Sequence, residues 1–299
     1  MVNRRAFAAA CGVVAAAVAL LALPLQACAQ ARTDQGYPER TVRIIGAAMI
    51  IGAEAAAKSP PDGYTLLVAH DGTMAMNPVV YPNLAYHSQR DFEPLALLTS
   101  IPEVVLVNEA LPVKSIRELI AFAKANPGKL NHASGGTATL LALELFKAMA
   151  EVDITNVPFR GGAPAVTGVM SGETQVIFAD LATANAGMQS GKLRTLAVTT
   201  RKRVARLPDV PTIDESGVPG YDVATWIGAF APAGTPKAIL DKIEAAIKQA
   251  LAAPDVKAKL EALSMEVRSG ASAELRAVLA DDVGKWGRLV KEKNIRIAQ

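Results

Sequence analysis

Short apolar runs alternate with longer stretches of helical spacing along most of this chain. Val42–Ile45 reads as a strand, and Tyr64–Ala69 (YTLLVA) as a second, introduced by the turn Pro60-Pro61-Asp62-Gly63. A third, EVVLVN, lies within Ile101–Asn108. Ser115–Ala125 predicts a helix with Ser115 as its cap and Glu118 at the capping-box spacing, stopped by Asn126-Pro127-Gly128. From Lys129 two short strands each run into a glycine turn, and each turn opens onto a helix. In the first of these helices Leu141, Leu145 and Met149 form an i, i+4 stripe expected to face inward. Thr174–Phe178 and Leu193–Thr199 are further strands, separated by a helical segment from about Leu181. Arg206–Gly220 is a Pro/Gly-rich crossing, and Tyr221–Ala231 returns extended and apolar. Thr235 and Pro236 are expected to start a helix as cap and first residue. Helices over about Pro236–Ala252, Pro254–Leu263 and Ser272–Lys293 complete the chain.

Strands alternating with helices predict an α/β fold with parallel, doubly wound sheets. A region over 103–222 is bracketed by two outer pieces, 30–102 and 223–299, so the chain is expected to cross twice between an outer domain and an inserted one. Such a layout suits a hinged pair of domains that closes on ligand. Ligands in these sheets sit outside the carboxyl ends of strands.

Composition narrows the class. The 299 residues are 51% apolar and only 5% aromatic, with net charge +3. Met1–Ala29 reads as an export signal: Arg4 and Arg5, an apolar run from Ala6 to Leu23, Pro24, then Ala27-Cys28-Ala29 before Gln30. Removing the two leader arginines leaves a body of charge +1, which argues against a nucleic-acid partner. A retained membrane anchor is the competing reading of the leader. Arg4-Arg5-Ala6-Phe7 is similar to a twin-arginine start, and Leu25-Gln26-Ala27-Cys28 to a lipoprotein processing site, which would tether the protein at Cys28. Both cysteines, Cys11 and Cys28, lie in the leader, so a body cleaved after Ala29 has neither disulfide nor thiol chemistry.

Catalytic and cofactor patterns are thin. The chain has no G-x-S-x-G, no dinucleotide or P-loop glycine pattern, and no metal-ligand spacing among its three histidines. No cofactor is expected. A Ser134–His132 pair, two apart on one strand, leaves open an α/β hydrolase or transferase. The run Arg201-Lys202-Arg203 with Arg206 is expected to be a solvated loop. Three loops stand out as binding candidates instead: Asp71-Gly72-Thr73 after YTLLVA, Ser134-Gly135-Gly136-Thr137 with Thr137 as helix cap, and Phe159-Arg160-Gly161-Gly162. They present small hydroxyls, backbone N–H groups and the positive ends of helix dipoles, which suit a small anion. Asp180 ends the strand TQVIFAD at the same edge, either facing ligand or capping the next helix. Trp226 is a candidate aromatic wall or a packed core residue.

The segments IGAEAAAKSPPDGYTLL, GTMAMNPVVYP, RDFEPLALL, VPFRGGAPAVTGVMSGETQVIFAD, LPDVPTIDESGVPGY and APAGTP, taken in order, resemble the substrate-binding proteins of tripartite tricarboxylate transporters, the Bug-type family. The resemblance covers Tyr37 to the C-terminus with one gap. It implies a periplasmic, two-domain Venus flytrap of the type II binding-protein class. Such a protein captures a small carboxylate (a di- or tricarboxylate, an acidic amino acid or an aromatic acid) in an interdomain cleft and delivers it to membrane transporter subunits, and is expected to act as a monomer. It supports Thr73, Ser134, Gly135, Thr137, Gly161 and Asp180 as lining that cleft. A sensor that signals to a membrane partner is a further reading.

The chain departs from the family at the front. Val42–Ile45 runs through Gly46-Ala47-Ala48-Met49 straight into Ile50-Ile51-Gly52-Ala53-Glu54. Family members place a glycine-rich turn, a long helix and a second strand there, so roughly 30 residues are missing. The first domain is expected to be incomplete, uncovering Ile44, Leu66 and Val68 or repacking around Met49–Ala57, and binding is expected to suffer.

Overall fold

The computed structural model describes residues 36–47, 50–268 and 271–295. The proposed leader, its cleavage site before Gln30, Cys28, and the junction residues Ala48 and Met49 lie outside them. The chain forms two compact units: 1–100 with 226–299, and 101–225. Each is described in turn.

Unit 1 begins with β1 (Arg43–Ala47), α1 (Ile50–Ala57) and β2 (Thr65–His70). β1 and β2 pair in parallel from Arg43↔Thr65 to Ala47↔Ala69, so α1 is a right-sized crossover between them. β2 pairs antiparallel with β8 (Ala224–Pro232), and β1 is the terminal strand of the sheet. A π-helical turn, Gly72–Met76, follows β2 and continues into the short α2 (Asn77–Val80). Its wide ring is closed by the Asn77 N–H donating to the Gly72 carbonyl. α7 (Lys237–Ala252), α8 (Pro254–Ala262), β9 (Glu266–Val267) and α9 (Ser272–Glu292) complete the unit. Its core holds Leu67, Met74, Met76, Leu95 and Trp286, with Phe92 edge-on to both Tyr86 and Phe230.

The short connection from β1 to β2 does not uncover all the side chains expected. Leu66 and Val68 are buried and Ile44 is half-buried, because α1 packs on both parallel strands through Ala53 and Ala56. The apolar cost falls on α1 itself, whose Ile51 is 79% exposed.

β3 (Phe92–Asn108) runs 17 residues and begins well before Ile101. Pro94 and Pro102 disguise it in the sequence, since proline argues against a central strand. Its first part pairs with β9 through Thr99 and Ser100; the remainder belongs to unit 2.

Unit 2 contains α3 (Ile116–Ala125), β4 (Asn131–Ser134), α4 (Thr137–Ala150), β5 (Thr155–Pro158), α5 (Gly162–Ser171), β6 (Val176–Asp180), α6 (Leu181–Gln189) and β7 (Leu193–Val198). β4 is parallel to β5 and to β6, whereas β3 is antiparallel to both β6 and β7. The sheet is therefore mixed and not wholly parallel, because β3 enters from the other unit without a crossover helix. Ser115 caps α3 by accepting from the Glu118 N–H (3.2 Å). The Glu118 carboxylate accepts from Lys114 N (2.7 Å), one residue before the cap, so the box is closed slightly early.

Three expectations about helices change. Met149 is 37% exposed; the inward face of α4 is Ala142, Phe146 and Ala150 with Leu141 and Leu143. α4 is apolar most of the way round, so spacing alone does not choose the face, and Phe146 does, by packing on Phe178 and Tyr221. Thr137 does not cap α4: Gly136 holds that position and Thr137 is the first helical residue. Thr235 likewise does not cap α7, which starts at Lys237 behind Pro236; its hydroxyl donates to the Pro232 carbonyl (2.7 Å).

Candidate functional site

The candidate residues of unit 2 gather where three helices begin. β4 ends at Ser134, and its carbonyl accepts from Phe159 N (2.8 Å), tying the first glycine turn to the second. Gly135 then passes so close to the second turn that a β-carbon on it would stand 2.6 Å from the Gly162 nitrogen and 2.7 Å from the Gly162 Cα. No side chain fits there, so glycine is a requirement of backbone contact at Gly135. Gly162 in turn faces α6: an added β-carbon would lie 2.9 Å from the Thr183 methyl. The starts of α4, α5 and α6 are thereby brought together.

The ends of α4 and α5 are left open. Gly136 and Gly161 occupy their cap positions, and neither helix has a side-chain cap. Substituent positions at Gly136 and Gly161 meet nothing within 4 Å. Gly161 has φ +109°, a conformation that glycine adopts without strain. The Thr139 hydroxyl accepts from Gly135 N and donates to the Gly136 carbonyl, both at 3.0 Å, and so holds the first turn. Uncapped N–H groups at two neighbouring helix ends, each carrying about half a positive charge from the macrodipole, are a candidate cradle for an anion.

The side chains around this cradle differ in role. Ser134 is buried and Arg160 is exposed, and among the described residues Arg160 makes no ion pair. Phe159 is half-buried and packs on α5, where a β-carbon at Gly168 would stand 2.5 Å from its ring. Asp180 caps α6, its Oδ1 accepting from Thr183 N (2.8 Å). Glu103, which the sequence did not single out, lies opposite Asp180 in the β3–β6 ladder and is buried; its Oε1 accepts from the Thr225 hydroxyl (3.1 Å).

His132 has no freedom to act on Ser134. It is fully buried, its Nε2 accepts from Phe178 N (3.2 Å), and its Nδ1 contacts Asn156 Oδ1 (3.2 Å). Those partners fix the tautomer with the proton on Nδ1. Burial, partly opposed by the Asn156 bond, pushes its pKa down to about 4. The ring pins β4 to β5 and β6.

In unit 1, Asp71 and Thr73 are buried at the start of the π-helical turn, with Gly72 between them. Asp71 Oδ1 accepts from Gly72 N (2.8 Å), and the Thr73 carbonyl accepts from the Tyr86 hydroxyl (2.5 Å). Burial raises the Asp71 pKa, against the lowering influence of His70. Trp226 is buried in this unit; its indole N–H donates to Asp282 Oδ2 (2.7 Å), and its ring lies 6.4 Å from that of Phe230. Among the described residues no helix is long and apolar enough to cross a membrane, and no three His, Cys, Asp or Glu side chains cluster as metal ligands.

Comparison with known proteins adds the following. A model of the family described as tripartite tricarboxylate transporter family receptor matches residues 43–295. A relative from a Pseudomonas species, encoded in a tcbD-tcbE intergenic region, is 36% identical over 85% of this chain and 76% of its own length. One from Cupriavidus necator is 29% identical over 99% of this chain and all of its own; the alignment spans 341 positions against this chain's 299 residues, so that relative carries residues that this chain lacks. Among solved structures, an R. palustris protein with adipate is 32% identical, covers 83% of both chains and superposes with a TM-score of 0.75. MatC from Rhodopseudomonas palustris with bound malate is 29% identical over 85% of this chain and 100% of its own, with a TM-score of 0.73.

Proposed function

Because the chain belongs to the tripartite tricarboxylate transporter receptor family, we propose that it captures a small dicarboxylate in the periplasm and delivers it to the membrane subunits of such a transporter. The observation that carries this reading is the contact of Gly135 with Gly162, which sets two uncapped helix ends side by side. One carboxylate group fits such a pair: its two oxygens accept from backbone N–H groups, and each helix end contributes about 0.3–1 kcal/mol, more when shielded. On this reading Ser134, Gly136, Thr137 and Gly161 contribute to that position, and Arg160 is the candidate cation for a second carboxylate. In unit 1, the turn Asp71-Gly72-Thr73 is a separate candidate for an anionic group. Relatives of the same fold hold adipate and malate, which favours a four- to six-carbon diacid. The family is one of receptors, and the commitment of both His132 nitrogens supports binding without turnover.

Capture is weaker here than in relatives that keep the first turn, helix and strand, because one ligand-gripping turn is absent from the front of unit 1. Thermal-shift and calorimetric titration of the mature chain with malate, adipate and a panel of mono- and tricarboxylates test the reading. Binding of a diacid, recovered unchanged after incubation, is the expected result. Failure of every carboxylate to bind, or conversion of one, overturns it.

A further inference from the structure

His70 lies at the end of β2 and belongs to none of the binding turns recognised in the sequence. Its ring lies close to the turn: a β-carbon on Gly72 would stand 2.8 Å from its Cε1 and 2.9 Å from its Nδ1. Nδ1 is 3.6 Å from Asp71 Oδ1, and Nε2 is 3.4 Å from Thr73 Oγ1. Asp71 and Thr73 are buried, whereas the His70 side chain is 35% exposed. The imidazole is therefore the accessible member of the trio, with one neighbour near each ring nitrogen.

Both neighbours can accept from the ring. A carboxylate oxygen beside Nδ1 is an acceptor, and a threonine oxygen beside Nε2 can be one. An imidazolium donates to both; a neutral ring donates to one only. The charged groups around it are few. Asp71 lies in the same turn, and α1, which packs on β2, carries Glu54, whose charge reaches Tyr86. α9, which packs on the turn, brings Asp282, whose charge reaches Asp71, and Lys285, which sits 2.8 Å from Asp282. On β8 the residue opposite is Ile227, and α2 (Asn77–Val80) carries no charge. A ligand carboxylate arriving at the exposed edge adds negative charge next to a ring that already has a buried carboxylate behind it.

We propose that His70 is the group through which the Asp71-Gly72-Thr73 turn meets an anionic ligand, and that capture takes up a proton on its ring. The proposal rests on the receptor reading above and deepens it: affinity for a diacid depends on pH through one residue. Asp71 and Thr73 are then positioning residues for the imidazolium, and Gly72 is glycine because the ring occupies the space a side chain would need.

The test is calorimetric titration of the mature chain with malate and adipate across about pH 6 to 8, where an imidazole titrates, in two buffers of different ionisation enthalpy. Expected are proton uptake on binding and an affinity that falls by roughly ten-fold across that range. His70→Gln should weaken binding at the acid end and abolish both the uptake and the slope. The chain has three histidines, so the His70 ring resonance is assignable by NMR, and its midpoint should move up when malate is added. That readout does not depend on any variant folding. Tight binding with no proton uptake and an unmoved His70 midpoint sinks this inference and leaves the receptor reading intact. Absence of carboxylate binding at every pH removes both.

Discussion

Gly135 and Gly162 touch through their backbones, with room for no β-carbon between them: 2.6 Å would separate one on Gly135 from the Gly162 nitrogen. The contact fixes the spacing between the starts of α4 and α5, and hence the geometry of the proposed cradle. Gly135→Ala should cost roughly 1–3 kcal/mol of stability in unit 2 through overpacking. It should also weaken malate binding by at least about ten-fold, the equivalent of ~1.4 kcal/mol. Gly136→Ala is the control, since its substituent position is open. Titration calorimetry and melting of both variants check this; equal affinity in Gly135→Ala and the parent removes the cradle.

His132 gives unit 2 an acid limit. Its pKa falls from 6.5 to about 4 on burial, so the folded state favours the neutral ring. The stability it contributes is complete above about pH 6.5 and is lost as pH falls through about 4, and the linkage is worth roughly 3 kcal/mol. Melting temperatures should drop across that window in the parent and drop less steeply in His132→Gln, which starts lower for want of a buried bond. A parallel decline in both chains rules out His132 as the cause.

Arg160 is exposed and, among the described residues, makes no ion pair. Arg160→Gln should leave the melting temperature within the scatter expected of surface changes, about ±0.5 kcal/mol. It should lower affinity for diacids more than for monoacids. An unchanged dissociation constant for malate places Arg160 outside the ligand's reach.

Ile51 is the most exposed large apolar side chain among the described residues. Ile51→Lys should cost almost no stability and reduce self-association in light scattering, because a large exposed apolar residue is a sticking point and not a packing contact. Building a family-like turn, helix and strand between Ile45 and Ile50 should raise both melting temperature and affinity; no gain in either removes the proposal that the short front weakens capture.

The leader, which lies outside the described residues, makes its own prediction: protein sequencing of the exported form should begin at Gln30. A start at a lipid-modified Cys28 points instead to membrane tethering.

Much of the site was legible because turns are written in local sequence. The glycines at 135, 136, 161 and 162, and the ends of the strands before them, stand in consecutive letters. What joins them does not: the Gly135–Gly162 contact links positions 27 residues apart and exists only once β4 and β5 pair. His132 and Ser134 share a strand face by simple alternation, which suggested a reacting pair. The partners that claim the histidine, Phe178 N and Asn156 Oδ1, come from two other strands. The length of β3 was hidden by Pro94 and Pro102, and the inward face of α4 by a helix apolar on nearly every side. His70 escaped notice because one histidine beside one aspartate is common; the ring's fit over Gly72 is visible only in three dimensions.

The division of the chain also dictates an order of events during synthesis. Unit 2 is a continuous stretch, 101–225, while unit 1 is built from both sides of it. β2 pairs with β8, which emerges from the ribosome some 150 residues later. The amino-terminal half of unit 1 therefore waits, its parallel pair and apolar α1 unsupported, until translation is nearly finished, so the usual sequence of amino-terminal parts folding first is reversed. Protease challenge of stalled nascent chains should find 101–225 protected first and 36–100 protected only after α9 is free of the tunnel.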